Sequence, residues 1–331
     1  MQRVVFRRFG PPEDVVELVD ESIPAPRGRE VLIDIEAAPV HIADLKFMSG
    51  ELPFYKPLPG TPGMEGIGAV RATGSEVTRL SVGDRVFLPV RVGTHGAWRQ
   101  QVVLTEDQVM AAPEGDALQL CLVPINGLTA FTLLEGVLPL RSGDWLIQNA
   151  ANSNCGRYLM ALARRRGIRT VNVVRRAALI DELKDLGGDV VLLDGPDLAG
   201  RVRTATDGAP IPLGIDAVAG SATQRIADCV ADGAMVLAYG MLSGDPCSVR
   251  PETLFMRNLT LKGFLTFTVM DTMDADTIQR AWSEIPALVA GGDLNTKIAA
   301  TYTLDRVHEA VRHAARTGAD RDGKIVILPN G

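Results

Sequence analysis

The polar stretch QNAANSNCG, residues 148–156, holds the side chains best suited to binding an anion. It begins at the end of the apolar run DWLIQ and precedes YLMALA, so the pattern predicts a strand, a turn and a helix. Unpaired N–H groups and the dipole at a helix N-terminus attract phosphate even where glycines are few. The candidate binding residues are therefore Asn152, Ser153, Asn154, Cys155 and Gly156. The same residues are equally consistent with a turn that only caps the helix.

The next apolar run, RTVNVV, is followed directly by Arg175 and Arg176. In dinucleotide-binding sheets an acidic residue at this place binds the ribose 2′-hydroxyl, whereas an arginine accommodates a 2′-phosphate. The planar guanidinium suits bidentate phosphate binding, so the pair indicates NADPH as the cofactor over NADH. The competing interpretation is two solvated arginines at a strand end.

The elements that would position these residues repeat after Cys121. Apolar strands alternate with helical periods through DWLIQNA, RTVNVV, VVLL, LGIDAV, GAMVLAYG and LTLKGFL. Such βαβ units predict an α/β fold with a doubly wound parallel sheet of the Rossmann type. From Val4 to about Met110, short strands broken by Gly and Pro predict a β-rich domain. From about Asp274 the chain forms further helices and strands, which we expect to rejoin the β-rich domain.

Composition limits the classes of partner. The chain has 331 residues, a net charge of −6 and a pI near 5.4, which gives no electrostatic reason to bind nucleic acid or an anionic membrane. Its four cysteines lie far apart without a C-x-x-C pair, and no signal peptide or membrane-length apolar run is visible. We therefore expect a cytoplasmic protein acting on a small-molecule substrate.

Several motifs together resemble the medium-chain dehydrogenase/reductase superfamily. They are VGDRVF, the turn, GIDAVAG, GAMVLAYG and the closing GKIVIL. Within that superfamily, QNAANSNCG, RTVNVVR, GAWR and INGLTAF are similar to the 2-enoyl thioester reductases of the mitochondrial type, with quinone oxidoreductases as the nearest alternative. The resemblance implies a GroES-like catalytic domain at 1–120, an NADPH-binding Rossmann domain at 121–267 and a return to the catalytic domain at 268–331. It also implies NADPH in a cleft and a homodimer.

The resemblance extends to further cofactor residues. Asn126 and Thr129 match a family segment near the nicotinamide, although both could simply cap the helix that follows. Lys324 matches a position near the cofactor phosphates, and a surface lysine is as plausible. Strand ends that line the cofactor in the family correspond to Tyr239, Gly240, Phe264, Leu265 and Thr266.

The proton donor is the weakest match. The tyrosine of the enoyl thioester reductases would fall two residues after Gly50, where this chain has Leu52. Tyr55, His41 or a water could deliver the proton instead, and Asn126 would help to position the reacting groups. Tyr55 could equally pack against its loop, and His41 could be a core histidine bonded to the backbone.

Zinc-dependent members of the superfamily require a separate comparison. Their first cysteine ligand would fall at His41 and their histidine ligand at Met64, and a thioether is a poor zinc ligand. The sequence therefore predicts a protein without zinc, in which Glu65 is a structural carboxylate.

The resemblance implies NADPH-dependent reduction of an electron-poor C=C bond, with a 2-enoyl thioester as the leading substrate. Hydride would reach the β-carbon and a proton the α-carbon. One alternative is a quinone or enone oxidoreductase, and another is a non-catalytic NADPH-binding protein.

Overall fold

A computed structural model describes residues 1–52, 58–89, 96–316 and 318–331. The chain forms two compact units, Met1–Ile125 with Trp282–Gly331 and Asn126–Ala281. The functional division expected at 120/121 and 267/268 stays a prediction, and the compact units change over at 125/126 and 281/282. No helix within the described ranges is long and apolar enough to cross a bilayer.

The strands are numbered along the chain as β1 (Gln2–Phe6), β2 (Val16–Asp20), β3 (Glu30–Pro39), β4 (Glu65–Thr73), β5 (Arg85–Pro89), β6 (Gln101–Thr105), β7 (Met110–Ala111), β8 (Trp145–Gln148), β9 (Arg169–Val174), β10 (Val190–Leu193), β11 (Leu213–Asp216), β12 (Met235–Ala238), β13 (Thr260–Gly263), β14 (Ile298–Tyr302) and β15 (Lys324–Ile327).

The helices are α1 (Pro12–Val15), α2 (Ile42–Met48), α3 (Ala117–Leu120), α4 (Leu128–Glu135), α5 (Asn154–Arg165), α6 (Ile180–Asp185), α7 (Leu198–Ala205), α8 (Ser221–Cys229), α9 (Pro251–Met256), α10 (Thr266–Met270), α11 (Ala275–Ala290) and α12 (Val307–Ala315). A π-helical turn, Val123–Gly127, precedes α4, and 3₁₀ turns occur at Ala177–Leu179, Leu304–Arg306 and Gly318–Arg321.

The first unit is built around β3. Its residues Val31, Ile33 and Ile35 are fully buried while the residues between them are partly exposed, which is the alternation expected of a strand with one face on a core. The sheet runs in the order β14-β15-β3-β4-β5-β7, and β6 also pairs with β3. A separate antiparallel pair is formed by β1 and β2.

The last strand of the chain closes this sheet. Strand β15 pairs antiparallel with the end of β3, with Val326 opposite Pro39 and Ile327 opposite Ala38, and it pairs parallel with β14. Val40 N–H also donates to Ile325 O at 2.9 Å. The pairing therefore brings the start of β15 beside the chain that leads into α2.

The second unit is the predicted doubly wound sheet. All six predicted strands are present, and they pair parallel in the order β10-β9-β8-β11-β12-β13. The order reverses between β8 and β11, and ligands of such sheets bind outside the carboxyl ends of the strands at that reversal. The predicted α/β fold class is thus confirmed.

Candidate functional site

The predicted strand, turn and helix are present at the carboxyl end of β8. Ser153 caps α5, and its hydroxyl oxygen accepts a hydrogen bond from Gly156 N–H at 3.1 Å. A Cβ on Gly156 would lie 2.7 Å from the Ala151 carbonyl oxygen, so only glycine permits this close approach. Ala151 N–H donates to Val173 O at 3.2 Å, which fixes the turn beside the end of β9.

Two asparagine side chains of the second unit carry amide nitrogens for which the described residues provide no partner. Asn126 and Asn154 are each 8% exposed, and among the described residues neither Nδ2 has a hydrogen-bond partner. An unpaired buried donor costs free energy and requires an explanation, such as a ligand that accepts the bond. Both residues were predicted to bind the cofactor, and this donor chemistry fits the phosphate and amide oxygens of a dinucleotide.

The end of β12 lies against the same turn. The Tyr239 hydroxyl contacts the side chains of Ser153 and Cys155, and burial, followed by the neighbouring Cys155, raises the pKa of Tyr239 well above its usual value. A Cβ on Gly240 would lie 2.4 Å from the Ala217 carbonyl oxygen. The chain after β12 therefore passes directly over the residues that follow β11.

Thr129 and Thr266 meet within the second unit. Their hydroxyl oxygens are 2.7 Å apart and both residues are buried, so each hydroxyl already has a partner. Phe264 is 8% exposed, whereas Leu265 is 45% exposed and available to a ligand or another surface.

The arginines after β9 differ in exposure. Arg175 is exposed and Arg176 is half-buried. Arg157, on α5, donates from Nε to the carbonyl oxygen of Asn152 at 3.1 Å and pairs with Glu182 at 2.5 Å. Arg157 thus fixes the backbone of Asn152 in the turn, and the Asn152 side chain is half-buried there.

A buried polar network, which was not predicted from the sequence, holds the strand ends beside the turn in place. Asn149 Nδ2 donates to Asp216 Oδ1 at 2.6 Å, and Asn149 Oδ1 accepts from Ala217 N–H at 2.8 Å. Asp216 also accepts from Val218 N–H at 2.8 Å and from the Thr223 hydroxyl at 2.6 Å. The network joins the ends of β8 and β11, where the strand order reverses. The signal for it was the polar residue at the end of each apolar run, in LIQN and GID.

In the first unit, His41, Glu65 and Lys324 form a separate cluster. His41 Nε2 is hydrogen-bonded to Glu65 Oε1, and Lys324 Nζ lies 3.3 Å from His41 Nδ1. Because an ammonium group can only donate, Nδ1 is the acceptor and the ring proton lies on Nε2, facing Glu65. Glu65 Oε2 accepts from Ile125 N–H at 2.5 Å. Both ring nitrogens of His41 therefore have partners.

Burial governs the ionisation of this pair. Burial, followed by the positive charges of Lys324 and Arg321, holds the pKa of His41 well below its usual value. Burial raises the pKa of Glu65, and the charge of Lys324 and the Ile125 N–H act in the opposite direction. His41 is therefore a neutral imidazole at physiological pH.

The backbone of this cluster is fixed by Asp44. His41 N–H donates to Asp44 Oδ2 at 2.9 Å, and Gly63 N–H donates to Asp44 Oδ1 at 3.1 Å. Hydrogen bonds of both its side chain and its main chain thereby hold His41 at the start of α2. The sequence had suggested only a bond to the backbone.

The remaining catalytic candidate, Tyr55, lies outside the described residues. Leu52, which occupies the expected tyrosine position, packs against the hydrophobic core of the first unit. Across the described ranges, no group of three or more His, Cys, Asp or Glu side chains could hold a metal ion. The absence of zinc nevertheless stays a prediction.

Comparisons with known proteins agree with this architecture. The alcohol dehydrogenase GroES-like domain family matches residues 27–114, and the zinc-binding dehydrogenase family matches residues 155–284. The mitochondrial enoyl-[acyl-carrier-protein] reductase of Dictyostelium discoideum is 32% identical over 268 residues, which cover 79% of this chain and 76% of that protein.

Solved structures show the same fold over nearly the whole length. A candidate NADPH:quinone reductase from Bacillus thuringiensis has a TM-score of 0.90 at 26% identity and covers 99% of this chain and 98% of its own. A complex of Etr1p with NADP and crotonyl-CoA has a TM-score of 0.86 at 21% identity and covers 99% of both chains, and at that identity it shows the shared fold. The chain therefore belongs to the medium-chain dehydrogenase/reductase superfamily, in the branch of the enoyl thioester reductases and quinone oxidoreductases.

Proposed function

We propose that the protein is an NADPH-dependent reductase of the C=C bond of a 2-enoyl thioester. The observation that carries the cofactor assignment is the pair of buried, unpartnered amide nitrogens of Asn126 and Asn154. The substrate class is supported by relatives with 32% identity over 79% of the chain that are enoyl reductases.

The second unit offers a donor for each part of the cofactor. The N-terminus of α5, with Ser153 and Asn154, suits the pyrophosphate, because its N–H groups and dipole attract anions. Arg175 and Arg176 follow β9, where a 2′-phosphate would bind. The other residues proposed to line the cofactor are Asn152, Cys155, Gly156, Tyr239, Gly240, Phe264, Leu265 and Thr266.

The nicotinamide end is proposed to lie near Asn126 and Thr129. Asn126 offers a donor without a partner among the described residues. The Thr129 hydroxyl is already bonded to the Thr266 hydroxyl, so Thr129 would contact the nicotinamide by packing and not by a hydrogen bond. Lys324 remains a candidate for the cofactor phosphates from the family resemblance. Its ammonium also donates to His41, so any phosphate contact would share it with that imidazole.

When bound, NADPH supplies the hydride that the β-carbon of the substrate accepts. The chain must then provide hydrogen bonds to the thioester oxygen as negative charge develops there, and Asn126 Nδ2 is available for this role. A proton must finally reach the α-carbon. His41 could donate only by giving up its bond to Glu65, so Tyr55 is the first candidate donor and His41 the second.

A quinone or enone acceptor is the second candidate function. It is favoured by Leu52 at the usual tyrosine position, because a quinone depends less on a dedicated donor at carbon, and by the structural likeness to a candidate quinone reductase. The third possibility is NADPH binding without catalysis.

One assay separates the three functions. The purified protein is titrated with NADPH and NADH, and NADPH oxidation is then followed by absorbance with a panel of enoyl-CoAs and a panel of quinones. We expect turnover of enoyl-CoA that falls about 100-fold in Tyr55→Phe and much less in His41→Asn. Turnover with quinones alone would establish the second function. Tight NADPH binding without turnover of any acceptor would establish the third.

We also propose a cytoplasmic homodimer joined through the second unit. β13 is an edge strand of its sheet, and nearby Phe255 and Met256 are 70% and 76% exposed. Exposed apolar side chains beside an open strand edge are typical of an association surface. Light scattering of the purified protein would measure the subunit number, and a fluorescent fusion would show the compartment.

A further inference from the structure

The loop after β10 contains an acidic residue that is held by an arginine from α8. Arg225 Nε donates to Asp194 Oδ1 and Arg225 Nη2 donates to Asp194 Oδ2, each at 2.6 Å. The third guanidinium nitrogen, Nη1, donates to the Ser221 hydroxyl at 3.0 Å. This is the bidentate geometry in which a guanidinium most fully neutralises a carboxylate. The two side chains are 27% and 19% exposed, so the pair is only partly screened by water.

The position of this pair in the sheet makes it relevant to the cofactor. Strands β9 and β10 are parallel and in register up to Val174 and Leu193. Asp194 N–H then donates to Val174 O at 2.7 Å, which extends the pairing by one residue. Asp194 is therefore beside Arg175 at the carboxyl edge of the sheet, where dinucleotides bind.

A free carboxylate at this edge would change the choice of cofactor. Asp194 follows β10, one strand beyond the position after β9 at which an acidic residue binds the ribose 2′-hydroxyl, but as a free carboxylate beside Arg175 it would repel a 2′-phosphate. Resting on the proposed function, we propose that Arg225 determines cofactor specificity: by neutralising Asp194, it permits the 2′-phosphate of NADPH to bind beside Arg175.

Arg201 does not provide the same neutralisation. It follows in α7 and donates from Nη1 to the Leu193 carbonyl oxygen at 2.8 Å and from Nε to the Asp197 carbonyl oxygen at 3.2 Å. Both partners are main-chain oxygens, so Arg201 shapes the loop. Of these two arginines, Arg225 is the one that donates to the Asp194 carboxylate.

The test measures binding of two small probes that differ only in the phosphate at issue. 2′,5′-ADP carries the 2′-phosphate and 5′-AMP lacks it, and calorimetric titration gives the Kd of each for the full chain. In Arg225→Met we expect binding of 2′,5′-ADP to weaken about tenfold while 5′-AMP changes less than about twofold. In the double variant Arg225→Met with Asp194→Asn, 2′,5′-ADP binding should return to within about threefold of the wild type, because the acidic charge is gone.

Two further variants separate this role from a structural one. Arg225→Lys keeps the positive charge but loses the planar fork, and it should retain most of the 2′,5′-ADP affinity. Arg250→Met removes a comparable but exposed pair with Asp228, also on α8, and should alter neither probe. Equal weakening of both probes in Arg225→Met, or failure of the double variant to recover, would overturn the specificity role.

The same titration distinguishes failure of the inference from failure of the proposed function. A wild-type protein that binds 5′-AMP as tightly as 2′,5′-ADP would refute the NADPH assignment and the role of Arg225 with it. A wild-type protein that prefers 2′,5′-ADP, with the same preference in Arg225→Met, would refute the role of Arg225 alone.

Discussion

Two groups of buried polar side chains differ in how completely they are bonded. In the first unit, both ring nitrogens of His41 and both carboxylate oxygens of Glu65 have partners within the protein. In the second unit, Asn126 and Asn154 each present a buried amide nitrogen for which the described chain provides no partner. Since an unpaired buried donor is costly and a paired one is not, the first group serves stability and the second is available to a ligand.

The contrast bears on His41 as a catalytic candidate. His41 occupies the position of the first cysteine ligand in the zinc-dependent relatives, and it is a candidate proton donor or a core histidine. Burial keeps its imidazole neutral, and both ring nitrogens are bonded, so we expect the His41 cluster to have a positioning or stabilising role.

Removal of the carboxylate at the centre of the first cluster should have the largest effect. Glu65→Ala leaves His41 Nε2–H and Ile125 N–H without the oxygens that accept their hydrogen bonds. We expect the free energy of unfolding to fall by about 2–6 kcal/mol, as for two buried donors left unsatisfied. Scanning calorimetry measures the loss, and Glu51→Ala, which removes an exposed pair with Lys46, should change stability by less than about 1 kcal/mol. Equal melting temperatures for the two variants would contradict the assignment.

Addition of a methyl group at the end of β12 should have the next largest effect. A Cβ at Gly240 would lie 2.4 Å from the Ala217 carbonyl oxygen, so Gly240→Ala must move the backbone, at a cost of about 1–3 kcal/mol. NADPH binding should weaken with it. Gly263→Ala, at the end of β13, is the matched control because nothing lies within 4 Å of its added Cβ. Urea unfolding and NADPH titration of both variants check the difference, and a Gly240→Ala protein that behaves like the control would refute the close approach.

Substitution of Asn154, whose amide nitrogen has no partner in the described chain, should affect stability and NADPH binding differently from substitution of Asn172, whose side chain is already hydrogen-bonded. Asn154→Leu should leave the stability of the free protein unchanged or slightly higher and should weaken NADPH binding about tenfold. Asn172→Leu should lower the stability and leave NADPH binding nearly unchanged, because the Asn172 side chain is hydrogen-bonded to Gln148 and Thr170 at 2.8 Å each. Its loss should cost about 1–3 kcal/mol of stability. Urea unfolding and NADPH titration give both quantities, and a destabilised Asn154→Leu protein with normal affinity would reverse the interpretation.

The smallest effect concerns pH. The pKa of His41 is lower in the folded protein than in the unfolded chain, so the unfolded chain takes up the proton first as pH falls. The contribution of His41 to stability is therefore complete above its ordinary pKa of about 6.5 and declines below it, by at most about 1.4 kcal/mol per pH unit. The stability difference between the wild type and His41→Asn should shrink between pH 7 and pH 5. A difference that grows as pH falls would mean that His41 is protonated in the folded state.

Local patterns were sufficient to predict the second unit. Each apolar run and each turn there is a short contiguous segment, and Gly156 is predicted as part of the turn that follows β8. The six parallel strands and the family follow from those segments. The place of Asn154 at the start of α5 could also be predicted, because cap residues and helix periods are local signals.

Contacts between distant segments could not be predicted in the same way. His41 and Lys324 are separated by 283 positions and meet only because β15 pairs with the end of β3. The pairing of Arg225 with Asp194 likewise spans 31 positions and depends on how α8 packs. Side-chain type gives no indication of such partners until strand order and register are fixed. This is why Lys324 was assigned to the phosphates from resemblance, without its contact to His41.

The pairing of β15 with β3 also has a consequence for biosynthesis. Residues Asn126–Ala281 form one continuous segment, so this unit can fold as soon as that segment has left the ribosome. The sheet of the first unit cannot be completed until Ile327 has been translated, although β3 is made within the first 40 residues. During that interval the edge of β3 that later accepts β15 is without its partner, and an unpaired strand edge is a site for aggregation. The first unit, although it begins the chain, is thus the one that carries an unpaired strand edge until the end of synthesis.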